Sequence, residues 1–299
     1  MQELRGMPVV KQIAADAALQ VEELKKKGIE PKLAVVRVGE REDDLSYERG
    51  LLKRFDAVGA LVESVVFPLD VTQEELEAGI KKLNEDDKVH GILVFRPLPK
   101  HLDEEVIKEM VTEMKDVDCM GSANTAHVFA QDGKGHAPCT PQAVIEMLDF
   151  YGYDLTGKKA VVVGRSMVVG KPLAQMLLKK NATVTICHTK TADLRAEVKA
   201  ADFVFACAGV AKMLDASYIL LLHNYHLHHL TLAWYILQLL NHLYCSLQIE
   251  LEYYESDYYR LRLLLYINLN PIIDIDILVS IQNMIQYLIL VLLPHLHNL

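Results

Sequence analysis

The stretch from Lys159 to Lys190, KAVVVGRSMVVGKPLAQMLLKKNATVTICHTK, constrains this chain more than any other. Val161 to Val163 are consecutive β-branched residues, a run suited to a strand buried on both faces of a parallel sheet. Gly164 ends it. The loop through Arg165, Ser166 and Gly170 leads into Lys171 to Lys180, where Leu173, Met176 and Leu177 fall at helical spacing. Thr183 to Ile186 reads as a second strand. Strand, glycine loop, helix and strand within about thirty residues predict the first unit of a dinucleotide-binding fold. Backbone N–H groups at the helix start are then expected to be free for a pyrophosphate.

The glycine pattern departs from G-x-G-x-x-G, because Ser166 stands at the second glycine position and Gly170 comes one residue late. A cofactor lacking the 2′-phosphate would want an Asp or Glu for its ribose hydroxyls about twenty residues beyond the glycines. Cys187, His188, Thr189 and Lys190 stand there instead. With Arg165 they make a neutral-to-cationic corner rich in hydroxyl and N–H donors, which suits a phosphomonoester and favours NADP over NAD. The plainer alternative leaves Arg165 and Lys190 as solvated surface charges.

At 299 residues and 51% hydrophobic, the chain can bury one or two cores. Its formal charge of −9 argues against a nucleic acid or an anionic membrane as partner. Five cysteines without a C-x-x-C pair read as reduced thiols in a cytoplasm, with no metal site. Charges interrupt the apolar residues of the first twenty positions, so no secretory signal is expected. Composition changes abruptly near Ile219. All fifteen glycines lie at or before Gly209, no lysine follows Lys212, and Ala233 is the only alanine beyond Leu220. Such a segment lacks the turn chemistry of a compact α/β domain.

Before the nucleotide unit, strands at Leu33 to Val38, Val62 to Phe67 and Gly91 to Phe95 alternate with helical patterns at Met7 to Lys27, Leu45 to Val58, Gln73 to Leu83 and Asp103 to Met114. That alternation predicts a parallel sheet with right-handed crossovers. Ligand chemistry is expected at the carboxyl ends of the strands: near Gly39 to Tyr47, Phe95 to Pro99 and Asp116 to Asp118. Asp44, Thr72 and Thr140 are read as helix N-caps, the last with Pro141 in the first turn of a connector helix. Asp193 to Ala200 and Phe203 to Ala206 continue the nucleotide unit, and Gly209 allows close approach of backbone to cofactor.

These residues resemble one family closely, the methylenetetrahydrofolate dehydrogenase/methenyltetrahydrofolate cyclohydrolases of one-carbon metabolism. The matching pieces include LAVVRVG at Leu33, Tyr47 with Lys53, GILV at Gly91, PLPKH at Pro97, KDVD at Lys115, PCTP at Pro138, GKKAVVVGRS at Gly157 and NATVTICH at Asn181. The resemblance covers residues 1 to about 219. It implies an α/β protein of two domains: a parallel α/β folate-binding domain over 1–140 and a Rossmann-like NADP-binding domain over 141–219. Residues 220–299 would form an anomalous tail. The implied reaction is NADP-dependent oxidation of 5,10-methylenetetrahydrofolate to the 5,10-methenyl form, with tetrahydrofolate derivatives as substrates. A homodimer is implied too.

By the same resemblance Tyr47 and Asp118 are catalytic, and Tyr47, Pro97, Leu98 and Asp118 bind substrate. The tyrosine ring would stack on the pterin, and the carboxylate would hold its amino and ring N–H groups. Gly164, Arg165, Ser166, Gly170, His188 and Thr189 would bind cofactor, with Arg165, His188 and Thr189 on the 2′-phosphate. Cys119-Met120-Gly121 after KDVD departs from the family, which usually has Gly and a different loop there, and so do two positions of the site. The family's catalytic lysine, one helical turn after the tyrosine, is Leu51 here, and the glutamine before Pro-Leu-Pro is Phe95. Lys53 lies roughly 200° around the helix from that face and matches a second family lysine. Hydride transfer needs mainly positioning, whereas hydrolysis of the methenyl bridge needs a proton carrier. Dehydrogenase chemistry is therefore expected to survive, with cyclohydrolase weakened or using another proton carrier.

The family's closing Pro-Gly-Gly-Val-Gly-Pro loop has no counterpart after Ile219. A shifted reading frame or a wrongly assigned sequence is the simplest account of the tail. His223, His226, His228 and His229 there are not expected to bind metal, nor Ile277 to Leu293 to span a membrane. The competing functional reading is a non-catalytic remnant that binds nucleotide or folate without turnover.

Overall fold

The computed structural model describes residues 4–210, 213, 214 and 218, together with the backbone of short strand segments at 232–235, 262–263, 265–267 and 273–274. The four tail histidines and the apolar run from Ile277 lie outside the described residues. The chain divides into two compact units, one built on Val10–Cys139 and the other on Met1–Val9 and Thr140–Val279.

After helix α1 (Gly6–Lys26), the first unit alternates β1 (Lys32–Val38), α2 (Glu42–Val58), β2 (Leu61–Phe67), α3 (Gln73–Glu85), β3 (Gly91–Val94), α4 (Glu104–Met110) and α5 (Ser122–Ala130). Its sheet is wholly parallel in the order β2-β1-β3. Because successive strand residues point to opposite faces, each strand feeds two cores. Leu33, Val35 and Leu93 face a cluster completed by Ala17, Val21 and Leu24 of α1 and Leu51, Phe55 and Val58 of α2. Ala34, Val36, Ile92 and Val94 face another with Leu76 and Ile80 of α3 and Ile107 of α4. Burial of both faces explains why β1 and β3 read as unbroken apolar runs.

Thr72 caps α3 as expected, and with Glu75 it forms a reciprocal capping box. Asp44 does not cap α2. The helix starts earlier, at Glu42, so Asp44 sits inside its first turn and is buried, 3.6 Å from Arg41. Thr140 is likewise inside α6 (Cys139–Phe150) rather than at its cap. Helix α5 escaped the sequence pattern. It carries Ala, Asn, Thr and His on a short segment with little apolar periodicity, and is held by Asn124, whose amide donates to the Glu113 and Asp116 carbonyls.

The second unit continues from α6 with β4 (Lys159–Val163), α7 (Gly170–Lys179), β5 (Thr183–Cys187), α8 (Leu194–Lys199) and β6 (Phe203–Ala206). Short strands β7 (Leu232–Tyr235), β8 (Arg262–Leu263), β9 (Leu265–Ile267) and β10 (Ile273–Asp274) follow. The main sheet has the order β5-β4-β6-β7-β9, parallel except for β9, while β8 and β10 pair separately. The strand order reverses at β4, and in open α/β sheets ligands bind beyond the carboxyl end of the strand at that point. The loop that follows β4 is the glycine loop.

Candidate functional site

In the first unit, the carboxyl end of β3 runs through Phe95 into Arg96 and Pro97, whose shared peptide is cis. Tyr47 projects from α2, half-buried, and meets Phe95 edge to face with ring centroids 5.4 Å apart. Leu51, one turn along α2, is completely buried in the same apolar cluster as Phe95, with Tyr47 packed against it. The two positions that depart from the family thus belong to a single core. Pro97 is exposed while Leu98 is buried, and the Pro97 carbonyl accepts a bond of 3.1 Å from Arg41. Lys53 is exposed on α2.

The KDVD segment runs beside β3 through a parallel bridge between Ile92 and Asp116. Its lysine works structurally, since the Lys115 ammonium donates to the carbonyls of Leu83, Asn84 and Asp86 and so closes the carboxyl end of α3. Asp116 is buried and accepts the N–H groups of Met120 and Gly121, which fixes the turn after the motif. That leaves Asp118. Its carboxylate meets the Arg96 guanidinium at 3.3 Å. Burial raises the Asp118 pKa above the usual carboxylate range, an effect that the Arg96 charge and bonds from Cys139 and Arg96 offset only in part. Next to it, Cys119 takes a left-handed backbone, and burial raises its thiol pKa to about 12, so it stays protonated. Tyr47, Pro97, Leu98 and Asp118 therefore rise from α2, from the carboxyl end of β3 and from the segment bridged to it.

In the second unit, two glycines are required by close approach. A side-chain carbon on Gly170 would lie 2.2 Å from the Gly164 carbonyl oxygen, and one on Gly164 would lie 2.5 Å from that of Cys207. Loop, helix start and the end of β6 thus pack backbone against backbone. Ser166 corrects one expectation. Its Oγ accepts the N–H of Val169 at 3.1 Å and of Gly170 at 3.5 Å, and its carbonyl accepts that of Lys171. The first N–H groups of α7 are held locally and are not free for a pyrophosphate. The Ser166 hydroxyl, which accepts in both side-chain bonds, still has its own proton to donate.

Arg165 and Thr189 are exposed and His188 is half-buried. A residue missed in the sequence shapes this corner. The Thr191 hydroxyl accepts the His188 N–H at 2.8 Å while the Thr191 N–H returns to the His188 carbonyl, and His188 Nδ1 accepts from the Lys190 N–H. Thr191 lies one residue past the Cys187–Lys190 corner, and an ST-type turn leaves little trace in composition. The close-packed glycines, a donor hydroxyl and an exposed cation fit a nucleotide carrying an extra phosphate.

A parallel sheet with a glycine loop at its reversal point, in one chain with a second parallel α/β unit that carries a partly buried carboxylate beside the end of β3, defines a two-domain nucleotide-dependent enzyme of the α/β class. The catalytic-domain model of the tetrahydrofolate dehydrogenase/cyclohydrolases matches residues 4–118, and the NAD(P)-binding-domain model of the same proteins matches residues 138–221. A bifunctional protein FolD of Clostridioides difficile is 50% identical over 216 residues, covering 72% of this chain and 75% of the relative. The crystal structure of the FolD methylenetetrahydrofolate dehydrogenase/cyclohydrolase from Campylobacter jejuni superposes with a TM-score of 0.71 at 38% identity, over 73% of this chain and 77% of that one. That of Trypanosoma brucei, complexed with NADP cofactor and inhibitor, gives 0.73 at 26% identity, over 97% and 96%. The chain belongs to the tetrahydrofolate dehydrogenase/cyclohydrolase family. Among the described residues no helix is long and apolar enough to cross a membrane.

Proposed function

We propose that the chain oxidises 5,10-methylenetetrahydrofolate to 5,10-methenyltetrahydrofolate with NADP, and that it retains the hydrolysis of that product to 10-formyltetrahydrofolate only at a reduced rate. The observation that carries the second half is the apolar cluster of Leu51 and Phe95 against Tyr47, where the family's ammonium and amide would stand. A water molecule attacking the methenyl bridge must lose a proton, and a positioned carrier is typically worth about 10²- to 10⁴-fold. Hydride transfer asks less of the protein, chiefly two bound molecules in register.

In this reading Tyr47 stacks on the pterin, its hydroxyl oriented by the edge-to-face contact with Phe95, and Pro97 and Leu98 form the apolar wall. Asp118 accepts the pterin N–H groups. NADP, when bound, supplies the hydride acceptor. Arg165 and Thr189 take its 2′-phosphate, Ser166 donates its hydroxyl proton to a phosphate oxygen, and Gly164 and Gly170 let the backbone come close. In the same reading the protein works as a homodimer, as the family resemblance implies. Absorbance of NADPH on mixing with NADP and methylenetetrahydrofolate tests the first half, and decay of methenyltetrahydrofolate absorbance tests the second. The expected result is NADPH formation with methenyl hydrolysis at least about 10²-fold below dehydrogenation. NADP binding without turnover would instead mark a binding remnant, and fast hydrolysis would overturn the role given to Leu51.

A further inference from the structure

Arg96 belongs to none of the roles above, yet it is clamped between two carboxylates. Its guanidinium lies 3.3 Å from Asp118 Oδ2 and 4.0 Å from Glu104 Oε1, with only 13% of the side chain exposed. Glu104 in turn holds the chain just beyond, accepting the Leu98 N–H at 3.0 Å. One carboxylate on α4 therefore fixes both the charge of Arg96 and the strand end that carries it. We infer that Arg96 is a positioning residue for the folate site, whose guanidinium holds the Asp118 carboxylate by an ion pair and aims it as an acceptor for a ligand that presents paired N–H donors.

The physical need is specific to this carboxylate. Asp118 is 19% exposed, and burial favours its neutral form. The other groups facing it are Asp116, whose charge also favours protonation, and the Cys139 thiol, a single weak donor. Arg96 is the cation among these neighbours. A neutral Asp118 would turn an O–H donor toward donors of the pterin, and a site built to accept loses its partner when both sides donate.

The inference rests on the folate reading of Asp118, and its test has one arm that does not. Arg96→Leu and Arg96→Lys are compared with the unaltered protein in two ways. Carboxyl ¹³C NMR with labelled aspartate, Asp118 being assigned by Asp118→Asn, should show its titration moving up by about one pH unit or more in Arg96→Leu and returning toward the original in Arg96→Lys. Steady-state kinetics should show the KM for methylenetetrahydrofolate rising about tenfold or more at the acid end and recovering at higher pH, with the KM for NADP unmoved. Far-UV circular dichroism and a cooperative urea transition like that of the unaltered protein establish that the variants are folded. An Asp118 titration that does not move in a folded Arg96→Leu overturns the inference whatever the substrate. A moved titration without any folate turnover upholds the pairing and removes the folate reading alone. A loss in Arg96→Leu that is equal at every pH and is not relieved in Arg96→Lys makes Arg96 structural only.

Discussion

Leu51 is completely buried, and that fact governs any attempt to return the family's lysine there. An ammonium placed in the apolar cluster with Phe55, Phe95 and Val117 would lose its hydration. Leu51→Lys alone should therefore lower stability by about 3 kcal/mol or more, read by urea unfolding. Adding Phe95→Gln gives the charge an amide partner, so the two changes should be strongly non-additive. The double variant should recover part of the stability and raise methenyl hydrolysis by about 10²-fold over the parent, measured by the decay of methenyltetrahydrofolate absorbance. A double variant no faster than the parent would show that the proton carrier lies elsewhere. The sequence already paired these two departures, since an amide that supports an absent lysine has no work. What it did not reveal is that the vacated space is filled as core.

Helix α5 and the loop behind it are fastened by charge as well as by packing. His127 donates to Asp132 through Nδ1 at 2.7 Å, and its Nε2 lies 2.9 Å from Glu113, joining the segment after β3 to the loop that leads to α6. The bond to Asp132, with both carboxylate charges, raises the His127 pKa above its ordinary 6.5. A raised folded-state value means that the stabilisation is complete below about pH 6.5 and disappears as pH rises through the folded pKa. The stability difference between the parent and His127→Gln should accordingly be largest in mild acid and shrink at alkaline pH. Urea unfolding across that range measures it, and a difference independent of pH would mean the imidazole acts only by packing. His136, buried and held neutral by desolvation, has the opposite slope but is common to both proteins. At this same scale the sequence saw the strands, where apolar runs are dictated by burial on two faces. It missed α5 and misplaced the start of α2, because those ends are set by hydrogen bonds to distant backbone rather than by periodicity.

The whole molecule carries a net charge of −9, so its affinity for the more anionic of two dinucleotides has to come from a local corner rather than from its overall field. Arg165 is exposed beside the loop and Lys190 beside His188. NADP should raise the thermal midpoint more than NAD at equal concentration, by up to about 2.7 kcal/mol of linkage at a hundredfold excess over Kd, and Arg165→Ala should erase the difference. Equal shifts by the two nucleotides in the parent would refute the corner. Alternating strands and helices, the glycine loop, and the hydroxyl and cation after β5 were all determined by the sequence itself. They follow from local periodicity and short-range turn chemistry, which neighbouring residues enforce. Tertiary structure alone decided that Ser166 takes up the first amides of α7, that Lys115 closes α3, that Thr191 shapes the His188 turn, and that Arg96 sits against Asp118. Each of these joins groups whose partners are chosen by the fold, and buried polar atoms must find such partners wherever the packed chain happens to bring them.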